Sequence, residues 1–150
     1  MRVLSALVVS LSLGIAPAPV VRAAQPDADL APVRRVVDDY IGLYTKERLP
    51  EWKALFLPSF TATYTNADGT VSSRTLEEFY ESQRAGFARG AMSETLHDVR
   101  ISREGRLAHV LAGFDFTSGG NTRRGQLMLL LLEADGQFRI AALAFSYHVP

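Results

Sequence analysis

The sequence predicts an α+β fold, an antiparallel sheet wrapped by helices, on three observations. Three helical apolar patterns precede four strand-like runs between Ser93 and Val149. Those runs are joined by Glu104-Gly105, Gly119-Gly120-Asn121 and Asp135-Gly136, which are hairpin-short connections and make one antiparallel meander. The run from Leu127 to Leu132 has no polar alternation, which predicts a strand covered on both faces.

The elements follow in order. Asp29 is placed to cap a first helix whose apolar positions Leu30, Val33, Val37, Tyr40, Ile41 and Tyr44 keep helical spacing. Pro50 suits the first turn of a short second helix bearing Trp52, Leu55 and Phe56, which Pro58 is expected to end. Thr61 to Thr65 alternates as a strand, Asn66-Ala67-Asp68-Gly69 turns, and Thr70 to Ser73 pairs back. Thr75-Leu76-Glu77-Glu78 reads as a capping box opening a third helix, with Leu76, Phe79, Tyr80, Gln83 and Phe87 inward and Gly90 at its end. The four long strands are predicted at Glu94–Ser102, Leu107–Thr117, Arg123–Glu133 and Phe138–Val149.

The ends and the composition bound the function. Arg2, an apolar stretch from Val3 to Ile15, Pro17, Pro19 and then Val21-Arg22-Ala23 have the form of a secretory signal cleaved after Ala23. The expected organisation is a signal peptide (1–23), a short linker (24–28) and one domain (29–150), with no membrane span in the mature chain and a periplasmic or secreted location. Sixteen basic and sixteen acidic residues cancel, and loss of Arg2 and Arg22 leaves a net charge of −2. No basic cluster interleaved with aromatics exists, so nucleic acid is not an expected partner. The chain has no cysteine, which excludes disulfides, thiolate catalysis and cysteine-based zinc sites.

Tyr40 in the first helix, Trp52 with Leu55-Phe56 before Pro58, the Asp68-Gly69 turn, Leu76 with Phe79, and the closing Asp135-Gly136-Gln137-Phe138-Arg139-Ile140 together resemble the nuclear transport factor 2-like superfamily. That superfamily includes the ketosteroid isomerases and SnoaL-like proteins. The resemblance covers nearly the whole mature chain. It implies a cone-shaped curved antiparallel sheet wrapped by three N-terminal helices, an apolar pocket on the concave side, and homodimers formed through the convex sheet face. It also implies that Tyr40 is the helix tyrosine serving the isomerases as an oxyanion donor. Tyr64 falls where they keep the proton-abstracting carboxylate, and Met128 near their second oxyanion acid. Neither side chain does that chemistry: a phenol is a poor base at neutral pH, and a thioether donates no proton.

The residues themselves offer a sparse catalytic set. His97 and His148 are the side-chain types suited to acid-base work near neutral pH, and Asp115 is a carboxylate in the interior of the strand-like runs. Alternation assigns Ala108, Val110, Ala112, Phe114 and Phe116 to one face, which sends His109 and Asp115 to the other. Tyr40 with His97 is the candidate catalytic pair, against structural roles for His97 as a hydrogen-bonded sheet residue and for Asp115 as a partner of Arg123 or Arg124. Tyr40, Tyr44, Tyr64, Phe79, Phe114, Phe116, Met128 and Phe145 are candidates to line a ligand pocket or fill a core. No ligand spacing for a metal is present, and Gly119-Gly120-Asn121 precedes no helix that would bind phosphate, so no metal or cofactor is expected. The function expected is binding of a small apolar or amphipathic molecule, with an isomerase-like enzyme using Tyr40 and a histidine base, or a dimeric interaction module, as alternatives.

Overall fold

The computed structural model describes residues 27–66 and 68–148. The predicted signal peptide and most of the linker lie outside the described residues. Three helices, α1 (Asp27–Gly42), α2 (Leu49–Lys53) and α3 (Leu76–Arg89), are set against six strands. The strands are β1 (Phe56–Thr65), β2 (Val71–Thr75), β3 (Met92–Glu104), β4 (Leu107–Ser118), β5 (Asn121–Ala134) and β6 (Gln137–Tyr147). They form one curved, open sheet in the order β2-β1-β6-β5-β4-β3. The predicted meander is the β3-β4-β5-β6 run, antiparallel throughout. The hairpin β1-β2 joins it through a parallel pairing of β1 with β6.

Local chemistry accounts for the boundaries. Thr75 and Glu78 form the predicted capping box: the Thr75 hydroxyl accepts from the Glu78 amide while the Glu78 carboxylate accepts from the Thr75 amide at 2.9 Å. The second helix is shorter than predicted. Phe56 opens β1 instead of closing α2, because the Ile140 amide donates to the Leu55 carbonyl at 2.9 Å and draws the chain into the sheet. Pro58 therefore lies inside a strand, at the register shift between Phe56 and Thr61, where a residue without an N–H interrupts no ladder bond. The first helix begins two residues before the predicted cap, at Asp27.

One core lies between the helices and the inner face of the sheet. Val33, Val37 and Tyr40 of α1 meet Trp52, Phe56, Phe60 and Phe79, whose rings stack edge-on at centroid distances of 4.6 to 6.5 Å. The alternation read in β4 holds: Ala108, Val110, Ala112 and Phe114 are buried, and His109 is exposed. In β5 the odd row Leu127, Leu129 and Leu131 is the buried one. The even row faces outward, away from the helices: Met128 is 42% exposed and Leu132 39%. With Leu107 and Leu111 of β4 it makes an apolar strip on the convex face. Among the described residues, no helix is long and apolar enough to cross a membrane.

Candidate active site

The site is a chamber of about 50 Å³ at the wide end of the core, walled by Phe114, Phe116, Leu127, Leu143 and Phe145 from the sheet and Phe79 from α3. Alternation delivers the sheet walls, since Phe114 and Phe116 of β4 share a face with Leu127 of β5 and with Leu143 and Phe145 of β6. Gly125 makes room for them. A Cβ at that position would stand 2.5 Å from the Phe114 ring and 2.4 Å from the Ser146 carbonyl, so any side chain would push the ring off the strand.

Four polar side chains point into these apolar walls: Tyr40, Gln83, Glu94 and Tyr147. Glu94 pairs with Phe116 across β3 and β4, so strand pairing turns its carboxyl group inward while the residue as a whole keeps partial exposure. The Tyr40 hydroxyl donates to Glu94 Oε1 at 3.4 Å. Burial pushes the Glu94 carboxyl up to about 7, and the Tyr40 hydrogen bond pulls the other way without cancelling it. Burial, reinforced by the charge on Glu94, also holds Tyr40 well above the usual phenol range. Such values suit Tyr40 to donating a hydrogen bond, not to serving as a base, and suit the Glu94 carboxyl to proton exchange near neutral pH.

Hydrogen bonds from neighbouring side chains hold these groups. The Trp52 indole N–H donates at 3.0 Å to the Tyr40 carbonyl, which lies in the last turn of α1 where a helix leaves carbonyls unpaired. The Tyr44 hydroxyl donates to Gln83 Oε1 at 2.5 Å and so orients the amide that reaches the chamber. Arg123 lies over the Tyr147 ring, 4.0 Å from its centroid, and donates to the Tyr147 hydroxyl at 3.3 Å. Burial raises the Tyr147 hydroxyl despite that guanidinium.

The predicted site residues separate accordingly. Tyr40, Phe79, Phe114, Phe116 and Phe145 line the chamber. Tyr44 is buried one layer behind it and acts through Gln83. Tyr64 stacks on Phe145 at 5.0 Å and belongs to the outer cleft. Met128 is not in the chamber: the period of two that buries Leu127 and Leu129 sends it to the convex face. His97 does not meet Tyr40. It opposes Gly113 across the β3-β4 pair, its ring occupying the space a Gly113 side chain would need, on the sheet face opposite Phe114. There its Nδ1 lies 3.1 Å from Asp98 Oδ2, beside a bulge where Asp98 adopts φ 52°. Asp115 also lies on that outer face, with Arg124 Nε 3.2 Å from its Oδ1. His148 is exposed. Among the described residues, no three His, Asp or Glu side chains converge as a metal site.

Glu94 is the chamber residue that sequence reasoning missed. Its signal was present: Glu94 and Leu96 are two apart on one strand, so an acid shares a row with a core-directed leucine. Its place at the strand's start masked that row, because a terminal acid ordinarily reads as solvated.

Comparison with solved structures returns the same architecture. A nuclear transport factor 2-like (NTF2-like) protein of unknown function from Shewanella baltica superposes with a TM-score of 0.65 at 13% identity, over 85% of this chain and 100% of that one. An NTF2-like family protein from Streptomyces avermitilis, provisionally named a dehydratase, gives 0.68 at 16% identity over 84% and 100%. A protein from Novosphingobium aromaticivorans, provisionally named a scytalone dehydratase, gives 0.62 at 15% over 81% and 85%. At these identities the likeness is one of fold. None of the curated proteins matches the sequence. The family of SnoaL-like domains matches residues 33–150, from the first buried turn of α1 through the last strand, so the whole cone with its Tyr40–Glu94 chamber is the matched unit. The chain belongs to the SnoaL-like domain family.

Proposed function

We propose that this SnoaL-like domain binds a small apolar or amphipathic molecule in the cone and presents Tyr40 and Glu94 to a carbonyl or hydroxyl group of that molecule. The observation that carries the reading is a carboxyl group held among aromatic walls, with a phenol hydroxyl at 3.4 Å. Such a group costs stability, because burial disfavours its charge, and local conflicts of this kind concentrate at functional sites. A thermal-shift panel of lipophilic molecules that each carry one carbonyl or hydroxyl tests it. Stabilisation of the wild type, weakened in Glu94→Gln, is the expected result. No shift with any member of the panel would dismiss the reading.

The value of about 7 at Glu94 favours a second step, proton transfer of the isomerase or dehydratase type. Glu94 takes the role of base assigned from sequence to His97: it removes a proton beside a carbonyl while Tyr40 donates to the oxygen on which charge develops. Exchange of deuterium from solvent into the α-position of a bound ketone measures that step directly, and exchange unaffected by Glu94→Gln would rule it out.

Two further elements belong to the same proposal. The chain is exported to the periplasm or beyond, supported by the signal-like residues 1–23; recovery of a product beginning at Ala24 checks this. The domain forms a homodimer through the convex face, supported by the exposed strip of Leu107, Leu111, Met128 and Leu132.

A further inference from the structure

The inner chamber alone is smaller than the 300 Å³ or more that organic ligands ordinarily occupy. It shares Phe79, Gln83, Phe116, Phe145 and Tyr147 with an outer cleft of about 350 Å³, which opens to solvent at the mouth of the cone. Three arginines from three elements line that cleft: Arg74 of β2, Arg89 from the last turn of α3, and Arg123 of β5. No acidic residue lines it. Glu78 lies beside Arg74, whose charge helps to lower its pKa, while its carboxylate accepts from the Thr75 amide and hydroxyl.

Two of the three guanidinium groups rest on aromatic faces, Arg123 on Tyr147 at 4.0 Å and Arg74 on Tyr64 at 5.3 Å. Stacking fixes a guanidinium plane and leaves most of its N–H edge for an acceptor. Among the described residues none of the three forms an ion pair, whereas Arg124, the next residue along β5, alternates to the convex face and pairs with Asp115 at 3.2 Å. Adjacent arginines thus have different fates, one neutralised outside and one left facing the cleft.

We infer that the mouth is an anion site, and that the ligand is an amphipathic molecule whose single carboxylate or sulfonate is held by Arg74, Arg89 and Arg123 while its apolar body lies on the chamber walls. This rests on the cavity-binding reading above and names its ligand class. The charged end stays at the rim and the uncharged end approaches Tyr40 and Glu94, so the geometry also sets which end of the molecule reaches the proton-exchanging carboxyl.

Two fluorescent probes with one aromatic body separate the claims: anilinonaphthalenesulfonate, which is anionic, and N-phenylnaphthylamine, which is neutral. The expected result is at least about tenfold tighter binding of the sulfonate to the wild type, with Arg123→Gln or Arg89→Gln each weakening it about tenfold. The naphthylamine should stay within about twofold in both variants, and Arg124→Gln should change neither probe. Equal losses for both probes, an Arg124→Gln effect as large as the others, or sulfonate binding indifferent to the cleft arginines would overturn the anion site. If the naphthylamine still binds in that last case, the cavity reading stands without it. If neither probe binds, both fall.

Discussion

The Tyr40 hydroxyl and the Glu94 carboxylate, 54 positions apart in sequence, meet at 3.4 Å at the inner end of an aromatic chamber. A packed helix and a paired strand set that distance, so neither group needs a loop to find the other. The carboxylate gains one hydrogen bond there and loses most of its water. The loss dominates and pushes the carboxyl up to about 7.

Linkage makes this measurable. The folded-state value of about 7 exceeds the ordinary 4.5, so between those limits the native state binds more protons than the unfolded chain and stability falls as pH rises. The cost is absent below 4.5 and complete above 7, where it reaches about 3 kcal/mol. Glu94→Gln should unfold in urea at nearly the wild-type midpoint at pH 4.5 and be the more stable protein at pH 8. A difference that does not change with pH would mean an ordinary carboxyl at this position.

Tyr40→Phe removes the hydrogen bond that favours the charged carboxylate, so the Glu94 titration should move upward from about 7. Carboxyl carbon NMR shifts followed against pH report it. The stability loss should be modest, about 1 kcal/mol, because the ring remains packed on Trp52 and Phe56.

Trp52→Phe should cost about 1–3 kcal/mol, since it takes the indole donor from the Tyr40 carbonyl and leaves that acceptor buried and unpaired. Chemical denaturation gives the loss. The Glu94 titration checks whether the indole holds Tyr40 in place, because a loosened hydroxyl would shift it in the same direction as Tyr40→Phe.

Met128→Lys places a charge in the convex strip and should convert a homodimer to a monomer with little loss of fold, because Met128 is already 42% exposed. Leu129→Lys, one residue on, should unfold the chain instead, since Leu129 is 0% exposed. Light scattering reads the first and circular dichroism the second. A wild type that scatters as a monomer at micromolar concentration would refute the dimer.

Much of the fold was legible in sequence because its signals are local. Glu104-Gly105 and Asp135-Gly136 turn where they must, with Asp135 at φ 51° and both glycines at positive φ. The capping box at Thr75 and the alternation through β4 are likewise written in neighbouring residues. What was hidden depends on distant partners. Pro58 reads as a helix stop until Ile140 is known to claim the carbonyl beside it, and Leu127 to Leu132 reads as symmetric until the helices choose a face. Of the polar side chains that line the chamber, Tyr40 was legible and Glu94 was not, because an acid at a strand's end turns interior only when Phe116 lies opposite it.

The sheet order has a kinetic meaning. The last strand in sequence, β6, is an inner strand of the sheet, with β1 on one side and β5 on the other. Until residues 137–147 arrive, the chain holds two unconnected pieces, the β1-β2 hairpin and the β3-β4-β5 meander, and neither can close the core alone. Closure of this domain therefore waits for residues 137–147, whose pairing with both β1 and β5 is a non-local step. One inner strand thus acts as the keystone on which both halves of the sheet depend.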